Sequence, residues 1–337
     1  MKKPEILHKD DKFSRVLEVK LNDKTLYTPT YFPSISSYGV KFSLRDSLYF
    51  IKHNSHPCVL ISAYDLYCSE VAERKRLLSM MKDHMKKGIL FLDSGLYESS
   101  WKVDKNWGIT SYKSLMAQTK TDFYSSFDVF RTDKESDAEF KQSTFNNIVE
   151  SSAFLDSKQF VVILHEKSPD RLIFLVEEFV KKYPKLCGGI AVAERDCGKS
   201  LVERAETIMQ IRRIMSGNDS RNLLHILGCG NPKSMLLFSY CGADSFDSLD
   251  WLKHVINPAD NSVHDFSHLE LLKCKCSVCS EFSTFKGNEY LAKALLHNLL
   301  FYRIFVDSLQ SLIRNANFRS YLDKHIGEDI MKQVDEL

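Results

Sequence analysis

Eight short apolar, β-branched runs alternate with amphipathic stretches over the first 250 residues of this 337-residue chain. That alternation predicts an α/β fold, because strands buried on both faces of a parallel sheet read as near-continuous apolar runs. The count of eight argues for a closed (β/α)8 TIM barrel over an open sheet. A third observation is that the alternation stops near Asp250, where a polar stretch leads into a cysteine cluster and a long helical pattern.

In chain order the expected strands are TLYTPTYF from Thr25, CVLISAY from Cys58, ILFLD from Ile89 and FYSSFDV from Phe123. FVVILH from Phe160, GIAVAE from Gly189, LLHILG from Leu223 and ADSFDS from Ala243 complete the set. Between them, residues 69–87 place Val71, Leu77, Leu78, Met81 and Met85 on one helix face. Residues 168–182 open on a Ser-Pro-Asp helix-start signal, and 200–215 and 232–240 continue the pattern. The expected division is a barrel over 1–250 and a zinc-binding helical subdomain over 251–337, with the helix of 288–314 packed on the barrel.

Composition limits the function classes. Hydrophobic residues make up 44% and charged residues 27%, an ordinary globular balance. A net charge of +2 provides no global basic field for nucleic acid, although a local patch is compatible with it. The N-terminal MKKPEILHKDDKF carries no apolar signal region, and no apolar run approaches the roughly 20 residues that span a bilayer. Nine cysteines, three of them clustered, favour metal over disulfides. The expectation is a soluble cytoplasmic protein with no membrane contact.

Barrel chemistry sits at the carboxyl ends of strands. Asp93, Asp128, His165, Glu194 and Asp247 are the polar residues there, and in a closed barrel they converge on one mouth. Two carboxylates from different strands suit cleavage and re-formation of a glycosidic bond, one attacking the anomeric carbon and one trading a proton with the leaving group. Separately, Cys274, Cys276 and Cys279 place three thiolates within six residues, enough for three corners of a tetrahedral zinc site. His297 is the chosen fourth ligand, with His264 and His268 nearer in sequence. Four protein ligands would make that zinc structural.

These pieces resemble the tRNA-guanine transglycosylase family. LDSGLYES is similar to the family's DSGGFQ or DSGGYQ, GGIAVAE from Gly188 to GGLAVGE, and LGCGNP from Leu227 to MGVGTP. GADSFDS resembles GVDMFDC, and CKCSVC followed by His297-Asn298 resembles the family's zinc site, where a His-Asn pair supplies the fourth ligand. TLYTPTYFPSIS resembles the family's opening strand, so the likeness runs from about residue 15 to 305.

The resemblance implies a pentosyltransferase working by double displacement. Asp247 would attack C1′ and form a covalent glycosyl-enzyme, while Asp93 serves as general acid and base. Tyr97 would stack on the base and Asp128 would accept from the guanine edge. Gly188, Gly189, Ile190 and Ala191 would meet the 7-substituent, with Glu194 orienting that peptide and Leu227 and Gly228 forming the opposite wall. The target base must leave its stack to enter such a pocket.

Departures from the family bear on the substrate. LHEK stands where the family has VQGG, so His165 replaces a base-binding Gln; it makes an equivalent bond or the incoming base differs. The family's PTR-x-AR segment is absent, and 27 positions separate Asp247 from Cys274. The shortened segments are ones that help hold tRNA. The expectation is therefore a DNA substrate receiving 7-cyano-7-deazaguanine (preQ0), with tRNA as the alternative and a non-catalytic, nucleic-acid-binding accessory subunit as a third reading. A homodimer or an ATP-using partner protein is the expected association, since the chain has no GxxxxGK[ST] loop of its own.

Overall fold

The computed structural model describes residues 4–337 apart from 10, 11, 22, 154, 156–158, 220, 282–286 and 316. An antiparallel sheet comes first: β1 (Glu5–Lys9), β2 (Arg15–Leu21) and β3 (Lys24–Tyr27). Then come β4 (Thr30–Ile35), β5 (Cys58–Ser62), β6 (Ile89–Asp93) and β7 (Phe123–Ser125). The barrel continues with β8 (Phe160–Leu164), β9 (Gly189–Ala193), β10 (Leu223–Leu227) and β11 (Ser245–Ser248). Each pairs in parallel with the one before, and β11 pairs with β4 to close the barrel.

One expected strand divides. TLYTPTYF is two strands, because Pro29 between them has no N–H to donate and the chain changes sheets there. Β3 belongs to the antiparallel sheet and β4 to the barrel.

The antiparallel sheet closes the amino end of the barrel. Leu17, Val19, Leu21 and Leu26 share one apolar cluster with Cys58, Ile89 and Leu223 at the starts of their strands, and with Phe32, Phe91, Phe123, Val161 and Ala191 inside. The rings of Phe32, Phe91 and Phe123 meet at 5.9–6.5 Å. At the same end Asp244 accepts from Arg15 Nε at 2.7 Å, Arg212 Nη2 at 2.6 Å and the Leu224 amide at 2.7 Å. With one end filled, the carboxyl end is free to hold a site.

Helices cover the outside. Val71–His84, Pro169–Lys182 and Leu201–Asp219 fall within a few residues of their expected spans, and Pro232–Tyr240 matches. Leu44–His53, Ile109–Gln118 and Asp137–Ser152 are helices where the sequence reading places none. In Asp137–Ser152 the inward face includes Thr144 and Ser151 beside Phe140, Phe145 and Ile148, which blurs the apolar stripe.

Beyond β11 lies an unanticipated hairpin, β12 (His254–Asn257) and β13 (Ser262–Asp265), followed by the helices Asn288–Arg314, Phe318–Ile326 and Glu328–Glu336. The long helix lies against the barrel. Tyr302 stacks on Tyr31 of β4 with centroids 3.8 Å apart and donates to the Gly230 carbonyl at 2.7 Å. Among the described residues no helix is long and apolar enough to cross a membrane.

Candidate active site

A cavity of about 430 Å³ opens at the carboxyl ends of the barrel strands, lined in part by Asp93, Asp128, His165, Glu194 and Asp247. All five strand-end groups singled out in the sequence therefore meet in one place. Its size suits a small-molecule ligand such as a heterocyclic base.

Asp247, third in β11, faces inward while Phe246 beside it packs outward into the helix layer. Its carboxylate accepts from Ser34 Oγ at 2.5 Å, the Gly228 amide at 3.2 Å and His225 Nε2 at 3.1 Å. With Nε2 donating, His225 Nδ1 accepts from Ser245 Oγ at 2.8 Å. Three donors, one from β4 and two from β10 and the residue after it, hold this carboxylate in one orientation. Sequence reasoning missed His225 and Ser34; the signal for the first was a histidine inside the apolar run LLHILG.

Asp93 ends β6 and accepts from the Gly95 amide at 3.0 Å. Burial raises its pKa well above the ordinary carboxyl range, and the nearby charges of Asp128 and Glu98 push it the same way. A carboxyl held neutral beside a second carboxyl is what a general acid requires. Gly95 is needed at the turn: its φ is +78°, and a Cβ there would lie 2.4 Å from Cβ of Tyr64.

Asp128 is already engaged. Ser94 Oγ donates to one oxygen, and His165 Nε2 lies 2.9 Å from the other. His165 Nδ1 faces Asp196 at 2.8 Å, so both ring nitrogens meet carboxylates. Burial disfavours the charged ring, but the bonds to Asp128 and Asp196 outweigh it and raise the pKa to about 9. Asp196, two positions past the end of GIAVAE, was not anticipated. Neither was Glu98, a buried residue that accepts from Ser36 and keeps Oε2 without a partner among the described residues. Burial, then the charge of Asp65, pushes Glu98 up to about 7. Glu194 pairs with Arg204 at 2.7 Å; burial raises its pKa against that cation.

No family model matches the chain. Curated relatives do. A tRNA-guanine(15) transglycosylase of Methanococcus maripaludis is 25% identical over 344 aligned positions, covering 91% of this chain and 50% of that protein. A protein of the same name from Sulfolobus acidocaldarius is 20% identical over 336 positions, covering 94% of this chain and 64% of its own length. Over most of its length the chain is thus similar to archaeal proteins named tRNA-guanine(15) transglycosylase. It spans about half the length of the Methanococcus relative it matches.

Set against that family likeness, the remaining site residues divide into two groups. Tyr97, Leu227 and Gly228 line the cavity beside the five strand-end groups. Gly188, Gly189, Ile190 and Ala191 are not among the lining residues. Gly188 and Gly189 sit at the entry end of β9, where the Gly188 amide donates to the Phe160 carbonyl at 2.9 Å. Ile190 points out into the helix layer, and Ala191 faces the filled interior level with Ile163. Side chains alternate along β9, so Ala193 at its far end reaches the cavity instead, and Glu194 reaches it from the turn that follows the strand.

The cysteine cluster forms a second centre in the C-terminal part. Ligand atoms of Cys274, Cys276, Cys279 and His297 all lie within 4.8 Å of one another, a group able to hold a metal ion. His297 Nδ1 is 3.5 Å from Cys276 Sγ and 3.4 Å from Cys279 Sγ. Its Nε2 donates to the Ile256 carbonyl at 2.8 Å, which fixes the ring and leaves the Nδ1 lone pair facing the thiols. His264 and His268 are not part of the group; His264 Nε2 contacts Ser262 Oγ at 2.6 Å. Asn298 ties the same helix to the chain after β11, donating to the Trp251 carbonyl at 3.0 Å and accepting from the Ile256 amide at 3.3 Å.

Proposed function

We propose that this chain exchanges guanine in a nucleic acid for a 7-deazaguanine base through a covalent Asp247–glycosyl intermediate. The observation that carries this reading is one small cavity holding two carboxyl groups in different environments. Asp93 is pushed toward its neutral form, and Asp247 is held by three donors. A carboxylate oxygen of Asp247 attacks C1′, the C1′–N9 bond breaks, and its electron pair leaves with guanine, which takes the proton of Asp93. The ionised Asp93 then removes a proton from the incoming base, whose N9 attacks C1′ and releases Asp247. Two inversions give net retention.

Tyr97 is the stacking partner of the base. Asp128, held by His165, is the acceptor for its N–H edge, and Ala193 with Glu194 supplies the wall on the β9 side. Cys274, Cys276, Cys279 and His297 would hold a zinc ion; four protein ligands would make it structural, supplying folding energy and no step of the exchange.

The relatives are named for tRNA, which supports tRNA over DNA as the substrate, against the expectation drawn from the trimmed segments. One feature still favours DNA: the short run of 27 positions from Asp247 to Cys274. A non-catalytic subunit would have no use for Asp93 and Asp247 together in the cavity. Labelled 7-cyano-7-deazaguanine incubated with tRNA, single-stranded DNA and duplex DNA separates these readings. Incorporation into tRNA is expected, and Asp247→Asn should lower it by about 10⁴-fold or more while nucleic-acid affinity changes little. Undiminished exchange by Asp247→Asn would remove the mechanism.

A further inference from the structure

The cavity mouth carries an aromatic feature that base exchange itself does not use. Trp101 ends the short helix Leu96–Trp101 that follows β6, and it is 54% exposed, whereas Trp107 and Trp251 are 7% and 0% exposed. Tyr38 meets Trp101 edge-on at 5.3 Å and meets Tyr97 edge-on at 4.7 Å. Three rings thus run outward from the cavity: Tyr97 and Tyr38 line it, and Trp101 lies beyond its lining. Two cations accompany them. Lys253 Nζ is 5.4 Å from the Tyr38 ring centre, and the Arg195 guanidinium is 4.5 Å from that of Tyr97.

We propose that Tyr38 and Trp101, flanked by Lys253, form a stacking shelf for the unpaired base next to the target nucleotide of a single-stranded segment. This rests on the exchange reading above. An exposed indole costs free energy unless something covers it, and every nucleobase has a π-face able to do so. Once one nucleotide enters the cavity, its neighbours must pass over the rim, where the shelf stands. Lys253 and Arg195 supply the positive charge that the intervening phosphates need, in a chain whose net charge is only +2. Among the described residues Tyr38 is the one ring that Trp101 meets, and an edge-to-face contact covers at most one of its faces, so the indole keeps a face for a stacked base. A strand that is unstacked at the target has no internal neighbour to stack on, so the shelf replaces what base extrusion removes.

Binding of labelled RNA stem-loops and of single-stranded DNA of the same sequence tests this. Each is made with a guanine target and either an intact or an abasic neighbour. The abasic site should weaken binding to the unaltered protein about tenfold, as should Trp101→Ala with the intact strand. The two losses should not add, and Trp101→Phe should restore most of the affinity. Trp101 fluorescence should be quenched on binding, while the buried tryptophans give a constant background. The RNA and DNA arms show which strand the shelf prefers. Wild-type affinity in Trp101→Ala, or an abasic penalty of equal size in both proteins, overturns the shelf. Absence of binding in both arms overturns it as well. Exchange measured on the same oligonucleotides keeps the two readings apart. Exchange without coupling leaves the function and removes the shelf; coupling without exchange does the reverse.

Discussion

His165 shows how a single replacement reshapes a pocket. Lying between Asp128 and Asp196 at 2.9 and 2.8 Å, it neutralises part of the charge of a carboxyl cluster in which Asp93 is already pushed toward its neutral form. Its folded pKa, about 9, is above the ordinary histidine value. The stability it contributes is therefore fully present below about pH 6.5 and lost as pH rises through about 9. Urea denaturation of wild type and His165→Gln should show an advantage of the wild type at pH 6 that shrinks by roughly 2–3 kcal/mol by pH 10. An advantage that stays constant across that range would mean that folding leaves the pKa of the ring unchanged.

At the scale of elements, the long helix Asn288–Arg314 links the two centres. Its His297 joins the cysteine group, its Asn298 holds the chain between β11 and β12, and its Tyr302 stacks on β4. A metal held by this group would fasten one part of the helix, and its withdrawal should loosen the others. Metal analysis of purified protein should find about one zinc per chain. Chelation or Cys276→Ser should lower the melting temperature by more than about 5 °C and reduce exchange along with it. Full stability after complete metal removal would show that the helix is held by packing alone.

The whole molecule depends on one barrel end being filled so that the other can stay open. Asp244, Arg15 and Arg212 are buried at the filled end, where Asp244 bridges the strand layer to the helix Leu201–Asp219 and the antiparallel sheet. Burial alone would raise the Asp244 pKa, but the two guanidinium groups hold it below the usual carboxyl range. Its contribution is present above about pH 4 and is lost as pH falls through the lower folded value. Asp244→Ala leaves two buried cations without their shared partner. It should cost about 3–5 kcal/mol in urea denaturation at neutral pH. A loss under about 1 kcal/mol would show that water reaches the arginines.

The alternation of strands and helices, the cysteine spacing and the polar residues at strand ends are legible in the sequence, because each is written in contiguous residues. The sequence also carried the family likeness, since LDSGLYES, GGIAVAE and GADSFDS are short continuous motifs. Only the tertiary structure decided which side chains of each strand face inward. Strands buried on both faces are apolar throughout, so β9 bears no local sign that Ile190 turns outward while Ala193 reaches the cavity. Nor could sequence distance show that His225 and Ser34 would hold Asp247 or that Asp196 would meet His165, whereas His297, chosen through the family resemblance, does join the cysteine group. Those partnerships arise because closing the barrel and laying a long helix against it bring together residues separated by tens or hundreds of positions.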